Sequence, residues 1–201
     1  MEIDGYVLHC LACGNRKEFE LHPDISDKKK YKYGKNSSFK DNARNMGLAV
    51  VIFNQLLAGE YLAGMKILRT TSVGQYDMGL IWEPTMDLEW DAVHNVFGIG
   101  HSVLEDFNQH DDGFRLCLAE FKQDGRLVIE DFRKEIKSLS DLDLLVCWEI
   151  DQLEDDDEYI IKKYDSPHKI KSRMFFGSTH YIVRNEHSCD VIALKDFLLN
   201  A

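Results

Sequence analysis

The sequence predicts an α/β fold with a mixed central sheet flanked by helices, an N-terminal hairpin, and an insertion between the second and third core strands. Three observations carry that expectation. Helix-type and strand-type stretches alternate in the order helix, strand, strand, strand, helix, strand, from which α/β architectures are built. One strand candidate, Leu142-Asp143-Leu144-Leu145-Val146-Cys147-Trp148, is an almost unbroken apolar run of the kind that is buried. The composition is that of a globular chain: 44% of the 201 residues are hydrophobic, 29% are charged and only three are proline, so a single core of ordinary size is expected.

The elements follow in chain order. Residues 1–22 alternate apolar and polar positions, as in Tyr6-Val7-Leu8-His9 and Glu18-Phe19-Glu20-Leu21, which predicts a hairpin whose turn carries Cys10-Leu11-Ala12-Cys13. Residues 1–40 thus read as a hairpin plus a lysine-rich loop, and residues 41–201 as the α/β domain, in one compact body. Asp41-Asn42 can cap a helix running from Ala43 to Ala58, with Met46, Val50, Phe53 and Leu57 on one stripe. Met65 to Arg69 and Tyr76 to Trp82 read as strands around the turn-rich 70–74.

Pro84 to Gly113 form the expected insertion, with a helix from Asp91 to Phe107 interrupted by Gly98 and Gly100. Phe114 to Lys122 is an apolar strand, and Gln123-Asp124-Gly125 turns the chain. An amphipathic helix is expected from Glu130 to Lys137, before the buried strand 142–148. Strands at Thr179 to Val183 and Asp190 to Leu194 and a last amphipathic turn complete the chain.

Charge is unevenly spread. The formal net charge is -11, yet about half of the 35 acids lie in two stretches without Lys or Arg, Asp77 to Asp112 and Asp141 to Glu158. Two basic stretches stand apart from these. Lys28, Lys29, Lys30, Lys32 and Lys35 are interleaved with Tyr31 and Tyr33, and Lys162-Lys163 is followed by Lys169, Lys171 and Arg173. Basic segments with aromatic neighbours suit the tracking of a phosphate backbone.

Five cysteines form an odd, scattered set, which reads as reduced thiols in a reducing compartment. Zinc at Cys10 and Cys13 would need two more ligands, and only His9 or His22 lies near, so a plain hairpin is preferred. The first five residues lack the basic start and apolar stretch of a signal peptide, and no apolar run approaches the roughly 20 residues of a membrane span. A cytoplasmic location is expected.

The chemistry-bearing constellation is Glu120-Phe121-Lys122. Strand alternation places Glu120 and Lys122 on one face while Phe121 points to the other. Charged groups at the end of an apolar strand must reach solvent, pair, or hold an ion. Asp77, near the start of the preceding strand, becomes a neighbour of Glu120 if the two strands are antiparallel. Two carboxylates and a lysine can hold a hard cation and orient a water for phosphodiester hydrolysis. A second triplet, Glu135-Ile136-Lys137, lies on the expected helix and reads as surface pairing. His94, His101 and His110 have no helical metal-pair spacing and read as surface or packing residues.

Tyr76-Asp77 followed by Ala119-Glu120-Phe121-Lys122, with a helix before and a helix and strand after, resembles the PD-(D/E)XK nuclease superfamily, the restriction-endonuclease-like fold. The resemblance covers roughly residues 41 to 150. Within that superfamily the chain is similar to nuclease-type modules attached to bacterial ATPases of the gyrase and histidine-kinase type, where a later Asp-Leu-x-x-Val-Cys-Trp strand follows, here Asp143 to Trp148. The resemblance implies a Mg²⁺- or Mn²⁺-dependent endonuclease acting on DNA, in defence or restriction. It implies Asp77, Glu120 and the Phe121 carbonyl as metal ligands and Lys122 as the catalytic lysine. DNA is the implied partner, beside an ATPase or other protein, with a dimer as one arrangement.

The superfamily often adds a Glu on the first helix. The matching stretch here, Arg44-Asn45-Met46-Gly47, has none, and Glu60 is the nearest stand-in. That departure points to a one-metal site, or to a module that keeps the sheet and binds nucleic acid or a partner without cutting.

Overall fold

The apolar runs from Met65 onward pair into one seven-stranded mixed sheet. The computed structural model describes residues 6–9, 16–19, 37–70, 75–110, 113–151 and 158–200, with side chains from Gly47 onward. The chain divides into two units, Met1–Asp41 and Asn42–Ala201. In the first, β1 (Tyr6–His9) and β2 (Arg16–Phe19) form an antiparallel pair with Tyr6 opposite Phe19. The expected CxxC turn between them, and with it the Cys10/Cys13 zinc question, lies outside the described residues.

The second unit contains β3 (Met65–Thr70), β4 (Met78–Trp82), β5 (Arg115–Asp124), β6 (Leu144–Glu149), β7 (Ile160–Lys163), β8 (His180–Arg184) and β9 (His187–Ala193). Their spatial order is β3-β4-β5-β6-β9-β8-β7. The strands β3, β4 and β5 form an antiparallel meander, and β5, β6 and β9 run parallel. Antiparallel pairings of β8 with β9 and β7 with β8 complete the sheet.

Alternation along the central strands divides the core in two. Leu144 and Val146 face a cluster with Ala49 and Phe53 of helix α1 (Ser37–Ala58), Trp82, Phe121 and Phe175. Leu145 and Cys147 face a second cluster with Val128, Ile129 and Phe132 of helix α3 (Leu127–Arg133). Helix α2 (His101–His110) and helix α5 (Leu194–Asn200) add Leu104, Phe107, Leu194 and Phe197 to the first. A short helix α4 (Pro167–Ile170) precedes β8. Cys117, Cys147 and Cys189 are buried. Among the described residues no helix is long and apolar enough to cross a membrane.

Four elements differ from the sequence expectation. α1 begins at Ser37, so Asp41-Asn42 lies inside the helix instead of capping it. In the insertion the helix starts only at His101. Asp91 Oδ1 accepts the Val93 and His94 N–H groups at 2.9 and 2.7 Å, a side-chain turn that competes with helix. The two glycines then run against other backbone: a Cβ on Gly98 would lie 2.5 Å from Trp90 Cα, and one on Gly100 2.3 Å from the Lys171 carbonyl oxygen.

α3 ends at Arg133 rather than Lys137. Glu135 takes φ 55°, and the Ile136 and Glu135 N–H groups donate to the Asp131 and Phe132 carbonyls at 3.0 and 3.1 Å, a Schellman-type end. Finally, β7 arises from Ile160-Ile161-Lys162-Lys163, where only Ile161 is buried. An edge strand with outward lysines carries too little apolar pattern to be recognised.

Candidate active site

The β4–β5 register sets Met78 opposite Ala119, so Asp77 stands just beyond the last paired residue of β4. There the Phe121 N–H has no strand partner, and Asp77 Oδ2 accepts it at 3.0 Å. A buried ladder group left open by a strand's end is thereby satisfied by a carboxylate. The N–H and carbonyl of one strand residue face the same neighbour. The Phe121 carbonyl therefore looks toward the Asp77 side as well.

Phe121 itself is anchored in the α1 core, its ring 5.5 Å from Phe53 in an edge-on contact. Glu120 and Lys122 consequently emerge on the α3 face. Glu120 is only 2% exposed. Its Oε1 is shared by Lys122 Nζ at 3.1 Å and by Lys137 Nζ in a shorter contact. Its Oε2 is buried and has no hydrogen-bond partner. Lys122 Nζ also meets Asp131 of α3 at 2.7 Å. Burial alone would push the Lys122 pKa down, but the Asp131 hydrogen bond and the Glu120 charge outweigh it and hold it above the ordinary lysine value. Lys122 is an ammonium at neutral pH, and its role here is that of a charge and a donor rather than a base.

Lys137 lies 5.6 Å over the Tyr76 ring. The Tyr76 hydroxyl is itself fastened, receiving the Ser138 N–H at 3.3 Å and reaching Asp141 Oδ2 at 3.5 Å. Burial, first among the causes, raises the Tyr76 pKa, so the phenol stays protonated. Tyr76 thus ties the residue before Asp77 to the segment that carries Lys137.

The remaining expected site residues fall elsewhere. Lys28, Lys29, Lys30, Lys32 and Lys35 lie outside the described residues. Lys169 and Lys171 are exposed on and just after α4, a stretch that packs against the insertion through the Lys171 carbonyl, which accepts Ser102 Oγ–H at 2.6 Å. Arg173 is not available to a phosphate: it is 2% exposed, donates to the Val96 and Gly98 carbonyls at 2.8 and 3.2 Å, and stacks over Tyr164. It serves instead to hold the insertion. Glu60 is exposed at φ 61° in the turn after α1 and makes no ion pair with the cluster among the described residues. His94, His101 and His110 each pair with surface carboxylates.

Two participants were not foreseen. Lys137 is no surface partner of Glu135, since its side chain is 10% exposed and bonded to Glu120. In the sequence Asp131 is only one position on the expected helix. The sequence carries no local signal for this, since Ile136 and Leu139 continue the helical spacing of Ile129 and Phe132 past the end of α3.

On the opposite face a cleft of about 310 Å³ is lined by Ser102, Arg115, Asp143, Ser172 and Asp190, among others. Its carboxylates are already occupied: Asp106 accepts Arg115 Nη2–H at 2.9 Å, and Asp143 and Asp190 bind mainly backbone. Asp143 Oδ2 accepts the Leu118 N–H at 2.7 Å. Asp190 accepts the Tyr164 hydroxyl at 2.6 Å and the Met174 and Phe175 N–H groups at 2.9 and 3.0 Å.

Among the described residues no three His, Cys, Asp or Glu side chains gather to hold a metal ion. Around Phe121, however, Glu120 Oε2 and the second oxygen of Asp77 carry no hydrogen bond among the described residues. Carboxylate and backbone carbonyl oxygens are the donor type that a hard cation keeping several waters takes. Compared with known proteins, the chain matches no family model, no curated protein and no solved structure.

Proposed function

We propose that this chain is a metal-dependent nuclease of the restriction-endonuclease-like kind, hydrolysing phosphodiester bonds in DNA. The observation that carries the reading is the meeting of Asp77 with the Phe121 N–H between Glu120 and Lys122, on a meander followed by a helix and a parallel strand. Asp77, Glu120 and the Phe121 carbonyl would hold Mg²⁺ or Mn²⁺, which when bound neutralises phosphate charge and acidifies a water. Lys122, kept charged by Asp131, orients that water and donates to a phosphate oxygen. Phe121, locked against Phe53, keeps the two carboxylates in register. The lysines of residues 28–35 and Lys169 and Lys171 would guide the backbone.

The test is titration of Mg²⁺ and Mn²⁺ by calorimetry on the wild type, Asp77→Asn and Lys122→Ala, with plasmid cleavage in the same samples. Asp77→Asn is expected to lose binding and cutting, and Lys122→Ala to lose cutting, with far-UV circular dichroism unchanged. Cleavage retained by both variants sinks the proposal.

One observation favours a second reading, a nuclease-like module that binds nucleic acid or a partner protein without cutting: Glu120 is nearly buried and already carries two ammonium groups. Salt-sensitive DNA binding without any Mg²⁺-dependent stabilisation would support it.

A further inference from the structure

We propose that Lys137 is a positioning residue that latches Glu120 when no divalent cation is bound and must release it for the cation to enter. This rests on the metal-dependent reading above and concerns a residue outside the expected Asp77, Glu120, Lys122 set.

The two lysines on Glu120 are not equivalent. Lys122 has a second carboxylate, Asp131, at 2.7 Å, so it stays neutralised when Glu120 turns to an ion. Lys137 pairs only with Glu120 among the described residues, and its other neighbour is the face of Tyr76 at 5.6 Å. An aromatic face is a weaker seat for an ammonium than a buried carboxylate. It is nevertheless a seat beside the site, which lets Lys137 leave Glu120 without leaving the protein. The helix end at Glu135 delivers Lys137 to this position, and the Ser138 N–H bond to the Tyr76 hydroxyl at 3.3 Å fixes the loop that carries it.

Binding of a cation and binding of Lys137 at one carboxylate are linked, so each weakens the other by the same factor. Removing one ammonium beside a shielded carboxylate should tighten divalent-ion binding by about tenfold or more.

The experiment is calorimetric titration with Mn²⁺ alone on wild type, Lys137→Met and Lys137→Arg. Lys137→Met keeps the apolar stem and is expected to lower Kd by about tenfold, whereas Lys137→Arg keeps the charge and stays within about threefold of wild type. In the wild type, Mg²⁺ should shift the Lys137 Cε resonance more than that of Lys122, which keeps its Asp131 partner, a readout that needs no variant to fold. Wild-type binding that Lys137→Met leaves unchanged, or a Lys137 resonance that ignores Mg²⁺ while the ion binds, overturns the latch alone. Absence of binding in every protein, with the Lys137 resonance unmoved, overturns the latch together with the metal-dependent reading.

Discussion

Replacing His180 by phenylalanine is expected to remove a specific acid sensitivity of the fold. His180 is fully buried in β8, its Nδ1 against Thr179 Oγ1 at 2.9 Å and its Nε2 without a hydrogen-bond partner. The nearest charges are Asp196 of α5, with Oδ2 3.7 Å from Nε2, and Lys163 of β7, which holds that same carboxylate at 3.0 Å. Burial pushes the imidazole pKa down to about 4; Asp196 opposes the shift and Lys163 adds to it.

The unfolded chain takes up this proton near the ordinary histidine value of about 6.5, before the folded chain does. The stabilisation is therefore complete above about pH 6.5 and is lost as pH falls toward 4. At 1.36 kcal/mol per unit the full loss is about 3 kcal/mol, of which about 2 kcal/mol falls between pH 7 and pH 5. Urea unfolding followed by tryptophan fluorescence at those two pH values measures it. Wild type should lose about 2 kcal/mol more than His180→Phe, the contributions of other acids cancelling in the difference. Equal losses in the two proteins would refute the reasoning and mean that the buried ring accepts its proton at little cost.

Arg173→Ala should destabilise the protein by about 3 kcal/mol, because two insertion carbonyls lose a charged donor and Tyr164 loses its stacked partner. Lys169→Ala and Lys171→Ala should leave the Tm unchanged and, if DNA is bound there, each reduce the salt slope of binding by about one ion. For Asp190→Ala, which strands the Met174 and Phe175 N–H groups and the Tyr164 hydroxyl, a loss of about 3 to 5 kcal/mol is expected by the same denaturation.

What was legible in the sequence was whatever one strand or helix decides by itself. The stripe through Val50, Phe53 and Leu57 marks α1 as a core helix, and the apolar runs at 65–69, 76–82, 114–122 and 142–148 mark four neighbouring strands. Alternation put Glu120 beside Lys122 and away from Phe121. What was not legible depends on chain brought from far away. Arg173 looks like any basic-segment residue until Val96 and Gly98 arrive with their carbonyls. Lys137 resembles a surface lysine because its partner lies on another element, and only the turn at Glu135 aims it there. The insertion misled for a local reason, since an aspartate that binds the N–H groups two and three residues on looks like a helix start.

The order of the strands also bears on how the protein is made. β9 is made after every other strand of this sheet, yet it lies between β6 and β8 inside it. Until it leaves the ribosome the β3-to-β6 half presents an open parallel edge at β6, and the β7–β8 hairpin has nothing to join. The core against α1 is likewise unfinished, for it needs Phe175, Ile192, Leu194 and Phe197. The β3-to-β6 part of the sheet therefore waits, with apolar surface exposed, for β9 and α5 to lock it, a period in which a nascent chain is most open to aggregation and to chaperones.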